Sequence, residues 1–543
     1  RMLRVLFPSL LMRRSDQHYA LWPALLAAAG YALISGLALP TWRSLIMILL
    51  FMGSAFFYRF SDPFTALGAA ALLIVLISPE GLREVSFQLS FLSMLGLFVV
   101  YPPLRDRLTR VLGSRAHDPP PIIRVVTPFA EAFLASIAAS VMVMPVVIHH
   151  FHGISLAGFL ANAVLVPLTG FTVLPLGLAA LCLFAVSGVL ALPFLLLGGL
   201  FLELCLWLIT WFSDLPWAFV WIGDLSIAHL ISIYIVCGIS VGPWSLKRKA
   251  AAMAGIALLL AGGSAWEKLH AADVSRGMLR VTVIDVGQGS STLVRFPGGK
   301  TLLVDGGGFP DESFDVGRMV LAPFLWREGI HALDAVVLSH DHPDHRNGLR
   351  AILSHFRVGA LWETGIQAEG ASTDGLAQIA RRRQITVRRL PDLGSEQMLD
   401  GCRVRILHPS PEAVGLGAPH RTLNNASMAL EITHGETSVL LPGDIDQSVE
   451  RQLLPTLKPC EQFLLVAAHH GSESSNGESF LGALNPRAVI VSCGTDNPFG
   501  FPSPRLLTWC GNRGIPCFRT DQQGAIEGIS DGARWRVRPL LPQ

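Results

Sequence analysis

Between residues 20 and 266 the sequence is a succession of apolar runs separated by short polar breaks. Each run lies near the roughly 20 residues a helix needs to cross hydrocarbon. This pattern limits the fold more than any other feature, because a bilayer admits only structures that satisfy their own backbone hydrogen bonds. Composition agrees: of 543 residues, 51% are hydrophobic and 15% charged, too apolar for a wholly globular chain. Nine candidate spans lie near 20–39, 43–58, 64–79, 86–102, 129–149, 154–186, 187–212, 226–245 and 248–266. The sixth is long for one crossing and holds Pro167 and Pro175, so it is expected to be a broken or re-entrant helix.

Basic residues gather at Arg1, Arg4, Arg13 and Arg14, at Arg105, Arg107, Arg110, Arg115 and Arg124, and at Lys247, Arg248 and Lys249. An even number of these spans separates each pair of clusters. All three therefore fit on the cytoplasmic side, and the ninth span then delivers the rest of the chain to the opposite face. The chain opens on Arg1 without a signal-peptide pattern and is expected to begin inside a longer protein. A formal net charge of +2 gives no bulk attraction to a polyanion, so any such site must be local.

After Ala271 the texture changes. Residues 279–284, 291–296 and 301–304 read as strands around a Gly-Gln-Gly turn, 319–328 as a helix, and 335–338 as a buried strand. Strands followed by crossover helices imply a layered α/β domain. The expected division is a multi-span domain over 1–270 and a layered α/β domain over 276–543. Five of the eight cysteines fall in the second part, none of the eight in a Cys-x-x-Cys pair. Cys510 and Cys517 flank a short turn and are either a disulfide or two buried thiols.

The string Ser339-His340-Asp341-His342-Pro343-Asp344-His345 directly follows the strand at 335–338. Three His and two Asp within seven residues form the donor density of a two-metal site, since imidazole and carboxylate each bind divalent cations. These residues resemble the His-x-His-x-Asp-His signature of the metallo-β-lactamase superfamily, whose fold is an αββα sandwich. The resemblance implies that His340 and His342 hold one ion and that Asp344 and His345 hold a second. Asp305-Gly306-Gly307, Leu441-Pro442-Gly443-Asp444 and His469-His470-Gly471-Ser472 follow in that superfamily's order. By the same resemblance Asp444 bridges the ions and His469 completes a coordination shell, with His470 the alternative. Asp341, Asp344 and His345 are the catalytic candidates, and Asp305, Asn424, Asn425, Ser427 and His470 the supporting ones.

The third histidine expected for the first ion is absent. Its stretch reads Asn424-Asn425-Ala426-Ser427, with His408 and His420 nearby. Fewer nitrogen donors favour manganese over zinc, although zinc stays possible. Two divalent ions lower the pKa of a shared water and stabilise the attacking and leaving oxygens of a phosphoryl displacement.

A multi-span domain followed by such a hydrolase resembles the ComEC family, the inner-membrane DNA channel of bacterial competence. In the membrane half the likeness rests on Phe60-Ser-Asp-Pro63, Phe87-Gln-Leu-Ser-Phe91, Ala135 to Ser140, Phe151-His-Gly153 and Ala161-Asn-Ala163. In the second half it rests on Val286-Gly-Gln-Gly289, Asn424-Asn425-x-Ser427, Leu441-Pro-Gly-Asp444 and His469-His-Gly-Ser472. It implies that a single DNA strand passes through the membrane domain, while the hydrolase domain meets duplex DNA outside and degrades the other strand. Other DNA-uptake proteins are the implied partners. The chain departs from the family at Ser290, where an Asp is usual, and at Phe501, where a His is usual. Two other readings stay open: a membrane-anchored hydrolase of another phosphoester or envelope substrate, and a transporter with a non-catalytic binding module. Gln88, Glu131 and Asn162 within the apolar runs line a path or tie helices together.

Overall fold

The computed structural model describes residues 16–36, 41–42, 44–49, 62–113, 120–222, 225–241, 244–275, 277–310, 314–366, 374–410, 422–458 and 460–540. The chain divides into two compact units, Arg1–Leu260 and Ala261–Gln543, and the division falls within the helix Leu246–Ser275.

In the first unit, four helices among the described residues are long and apolar enough to cross a membrane: Val85–Leu112, Pro121–Phe151, Leu156–Phe184 and Gly188–Ser213. Leu25–Ile34, Pro63–Ile77 and Ile227–Ser240 are shorter apolar helices. The first, second and eighth of the nine expected spans reach into stretches outside the described residues, and the ninth lies in the helix Leu246–Ser275. Leu156–Phe184 does not break at its prolines. Pro167 lies inside the helix Leu156–Leu168, and a π-helical turn, Thr169–Val173, carries the chain into Leu174–Phe184, where Pro175 sits in the first turn. Proline removes one backbone donor and crowds the turn before it, and the wider turn absorbs that change without ending the helix. A two-stranded ribbon, Gly153–Ser155 with Phe219–Trp221, was not apparent in the sequence.

Close packing in this unit depends on small residues. A Cβ added at Gly96 would lie 2.3 Å from the carbonyl oxygen of Ala138, so the helices Val85–Leu112 and Pro121–Phe151 approach backbone to backbone there. Gln88 Oε1 lies 3.2 Å from His150 Nε2, and Gln88 Nε2 donates to the Leu82 carbonyl at 3.1 Å, so Gln88 ties helices together. Glu131 pairs with Arg105 at 3.1 Å. His149 Nδ1 donates to the Leu225 carbonyl at 2.8 Å.

The second unit contains an eight-stranded and a seven-stranded sheet. The first runs Trp535–Pro539, Ile526–Ser530, Leu279–Val283, Thr292–Arg295, Thr301–Val304, Ala332–Leu338, Arg357–Glu363 and Thr386–Arg389. Its early hairpins are antiparallel, and pairing becomes parallel from Thr301–Val304 onward. The second runs Cys517–Arg519, Ala488–Val491, Gln462–Val466, Thr437–Leu441, Ala429–His434, Cys402–His408 and Glu396–Leu399.

Alternation explains the layering. Val281, Val304 and Val337 of one sheet share a buried core with Val404, Ile432 and Leu464 of the other. Their neighbours Phe463, Leu465 and Val489 face the opposite way, into a second core with Phe480, Leu481 and Trp509 of the outer helices. Strands buried on both faces read as continuous apolar runs, as Ala335 to Leu338 and Phe463 to Val466 do. Glu527, in the strand Ile526–Ser530, is 1% exposed and meets Arg280, Arg295 and Arg538 at 3.1 to 3.5 Å, which compensates its buried charge.

Candidate metal centre

The strands Thr301–Val304 and Ala332–Leu338 run parallel, as do Thr437–Leu441 and Gln462–Val466. Asp305, the segment from Ser339 to His345, Asp444, and His469 with His470 follow the carboxyl ends of these four strands in turn. Backbone conformation makes the convergence possible. Asp305, His469 and His470 all have positive φ, at 62°, 50° and 56°. Gly289, at φ 100°, lies so close to the ligand loop that a Cβ there would meet the Asp344 carbonyl oxygen at 2.0 Å. Ser290 follows, its N–H donating to the same oxygen at 3.2 Å.

Asp344, His345, Asp444 and His470 bring one donor atom each within 4.8 Å of one another. His345 Nε2 is 3.3 Å from Asp444 Oδ1, and His470 Nε2 is 3.6 Å from both Asp344 Oδ2 and Asp444 Oδ2. Second partners fix both ring orientations. His345 Nδ1 donates to Asp305 Oδ2 at 2.7 Å, and His470 Nδ1 donates to the Ser492 carbonyl at 3.0 Å. Each imidazole thereby turns Nε2 into the cluster, and both Nε2 atoms are buried without a hydrogen-bond partner.

His340 is oriented by a longer chain of bonds. Ser339 Oγ donates to Asp305 Oδ2 at 2.7 Å, so it accepts from His340 Nδ1, 3.1 Å away. That leaves His340 Nε2 facing His342 Nδ1 at 3.0 Å and Asp444 Oδ2 at 4.0 Å. Ser427 Oγ lies 3.1 Å from His340 Nδ1 and accepts from the Asp444 N–H at 3.0 Å, tying the first histidine to the central carboxylate.

The electrostatics fit a cation. Burial opposes charge on His345, but Asp444 and Asp305 outweigh it and hold the imidazolium well above the usual histidine range. Burial likewise opposes charge on His470, and Asp444 and Asp344 raise it to about 9. Burial also works against ionisation of Asp444, yet His345 and His470 hold it well below the carboxylate range. Asp344 is lowered too, against its burial, by His470 and His345. His340, by contrast, is pushed well below its usual value by burial and by His345. Protons on His345 and His470 balance the carboxylates of Asp344 and Asp444, a charge that one dication held by the same atoms would also balance. The unpartnered Nε2 atoms and the two carboxylates are therefore a donor set that suits a divalent ion.

Other candidates fall elsewhere. Asp341 accepts from Arg346 Nη1 at 2.8 Å and lines a separate small cavity with Arg346 and Thr364; the structure does not bring it to the cluster. His469 stands beside the four-residue group: its Nε2 is 3.8 Å from Asp444 Oδ2 and 3.3 Å from Asn424 Nδ2. Asn425 clasps Asp446, donating to Oδ2 at 2.9 Å and accepting from its N–H at 3.0 Å, and Asp446 caps the helix Gln447–Leu453. His408 Nε2 donates to the Asn425 carbonyl at 2.8 Å, supporting that loop, while His420 lies outside the described residues. The motifs did not reveal the positioning roles of Ser339, at the head of the ligand string, and of Ser492, which lies outside them. Only their places directly after Leu338 and Val491, at the ends of apolar strands, marked them. Cys510 and Cys517 are both free thiols.

Comparison with known proteins agrees with both units. Residues 1–247 match the competence protein family and residues 284–495 the metallo-beta-lactamase superfamily. ComE operon protein 3 of Bacillus subtilis (strain 168) is 27% identical over 520 residues, covering 92% of this chain and 62% of that protein. Competence protein ComA of Neisseria gonorrhoeae is 26% identical over 523 residues, covering 94% of this chain and 65% of that one. Uncharacterized protein YcaI of Escherichia coli (strain K12) is 27% identical over 442 residues, covering 78% of this chain and 51% of that one. The chain thus spans between about half and two thirds of the length of these curated relatives. A competence protein family domain with membrane-spanning helices, over residues 1–247, is thus followed in this chain by a metallo-beta-lactamase superfamily domain over residues 284–495, the domain order of the ComEC family.

Proposed function

We propose that this chain is a multi-pass protein of the bacterial inner membrane that translocates DNA in natural transformation. Its second unit is a metal-dependent nuclease on the periplasmic or extracellular side that degrades the strand not transported. One strand passes through the membrane unit, duplex DNA meets the outer unit, and other DNA-uptake proteins act with it. The transport role draws on the family and on the names of its relatives. The observation that carries the hydrolase role is the convergence of Asp344, His345, Asp444 and His470, with two unpartnered imidazole nitrogens, at the ends of parallel strands.

In this reading those four residues hold one divalent ion, and His340 and His342 share Asp444 toward a second. Ions there supply Lewis-acid polarisation of a phosphoryl oxygen and lower the pKa of water. The protein's own part is orientation. Asp305 and the Ser492 carbonyl fix the tautomers of His345 and His470, and Ser427 holds His340 and the Asp444 backbone in register. Asn424 and Asn425 at the usual third-histidine position favour manganese over zinc.

The full chain, purified in detergent and incubated with labelled single- and double-stranded DNA across magnesium, manganese and zinc, is expected to cut best with manganese. Equal cutting after exhaustive chelation, or none with any ion, overturns the nuclease reading. Location is tested separately: reporter fusions at Gly113 and Gln543 are expected to lie on opposite faces of the membrane. Both reporting the same face contradicts the outer placement.

A further inference from the structure

Phe499 is an apolar side chain left 61% exposed in a unit whose other large apolar groups are mostly buried. A single exposed apolar residue is ordinary on any surface. This one is not isolated. Its ring stacks on Phe501, with centroids 5.4 Å apart and planes within 17°. Phe501 in turn lies 5.8 Å from the His469 ring and 6.1 Å from the His470 ring. The stack therefore runs from solvent to the edge of the metal centre.

The loop that carries it is held rigidly. Asn497 Nδ2 donates to the carbonyls of Gly494 and Phe501 at 3.0 and 2.8 Å, and Asn497 Oδ1 accepts from the Phe501 N–H at 2.9 Å. On the far side, the Ser503 N–H donates to the Gly471 carbonyl at 2.8 Å. Gly471 packs so closely that a Cβ there would meet Pro502 Cβ at 2.7 Å. The loop is thus fastened both to itself and to the turn bearing the two histidines. An exposed aromatic face already fixed in place loses little conformational freedom when a flat ligand stacks on it.

We infer that Phe499, backed by Phe501, is a stacking platform for an unpaired nucleobase whose phosphodiester lies at the metal centre. This rests on the nuclease reading above. A base lies one sugar away from the phosphate that carries it, so the face that Phe499 presents one ring out from the histidines, across Phe501, is where a base at the edge of the metal centre would fall. Every base has a π-face, so such a platform accepts any sequence, as a nuclease acting on arbitrary DNA requires. It also favours single strands and frayed ends, because bases within a duplex are already stacked on one another. The departure at Phe501 thus supplies a binding surface where the family usually places a histidine.

The test uses the full chain in detergent with chelator, so that binding is read without cutting. The probes are fluorescein-labelled oligothymidylate and an abasic oligomer of equal length. Wild type is expected to bind oligothymidylate more tightly than the abasic strand. Phe499→Ala is expected to weaken oligothymidylate binding roughly 10-fold, the loss of one base–aromatic stack. Abasic binding should stay unchanged, and Phe499→Trp should restore affinity for the base-containing strand. Equal affinity of wild type for the two strands, or an unchanged affinity in Phe499→Ala, overturns the platform and leaves the nuclease reading standing. Failure of wild type to bind either strand, together with no cutting under any ion, overturns both.

Discussion

Replacing Asp344 with Ala is expected to lower DNA cleavage by at least about 10³-fold, because the change removes a donor and a negative charge at once. The several kcal/mol that a metal centre contributes to a phosphoryl-transfer transition state corresponds to a factor of that size. The fold is expected to survive. The Asp344 side chain keeps 23% exposure, and it is the Asp344 backbone carbonyl, not the carboxylate, that accepts from Ser290. The cores beneath the site, built around Val337 and Leu464 and around Phe463 and Val489, are untouched. In chelator the variant loses the Asp344 contact with His470 and its attraction to His345, and is relieved of its repulsion from Asp444. Its melting temperature should then fall by no more than a few degrees, about 1 kcal/mol for a unit of this size. With ions present, wild type should gain stability that the variant does not, by mass action. Cleavage beside a thermal melt separates the possibilities. Undiminished cutting would remove Asp344 from the site, and a collapsed melt in chelator would make it a structural residue.

Much of this architecture is legible in the sequence because it depends on periodicities that do not need tertiary context. Apolar runs such as those around Val85–Leu112 and Gly188–Ser213 announce membrane-length helices, and the run ending at Leu338 announces a strand buried on both faces. The ligand string is legible because its donors are consecutive. What escaped reading depends on non-local geometry. Leu156–Phe184 stays continuous because the π turn Thr169–Val173 leads into Pro175, and the periodicity of the run carries no sign of that turn. Asp341 is set among ligands in sequence, yet its partner Arg346 lies five residues on, in the short helix Pro343–Arg346, and that pairing takes it elsewhere. The adjacent histidines His469 and His470 are equivalent on paper. Their separation comes from Ser492, which fixes one ring from a neighbouring strand's end, and from Asn424, which lies beside the other.

That separation makes His470 and His469 the sharpest probe of the site. An ion bound with Asp344, His345 and Asp444 would take its second imidazole from His470, whose Nε2 is buried, unpartnered and 3.6 Å from both carboxylates. His469 keeps 23% side-chain exposure, lies beside Asn424, and is not in the four-residue group. Removing one of four donors typically costs well over the 10- to 100-fold in affinity, as an order of magnitude, that loss of a mere orienting partner costs. The measurement is manganese retained per chain, read by electron paramagnetic resonance on the full protein in detergent after gel filtration at limiting metal. Wild type and His469→Ala are expected to keep the tightly bound ion, with nitrogen coupling from two imidazoles, and His470→Ala is expected to lose it. Retention by His470→Ala together with loss by His469→Ala would contradict the assignment and place the centre on the other histidine.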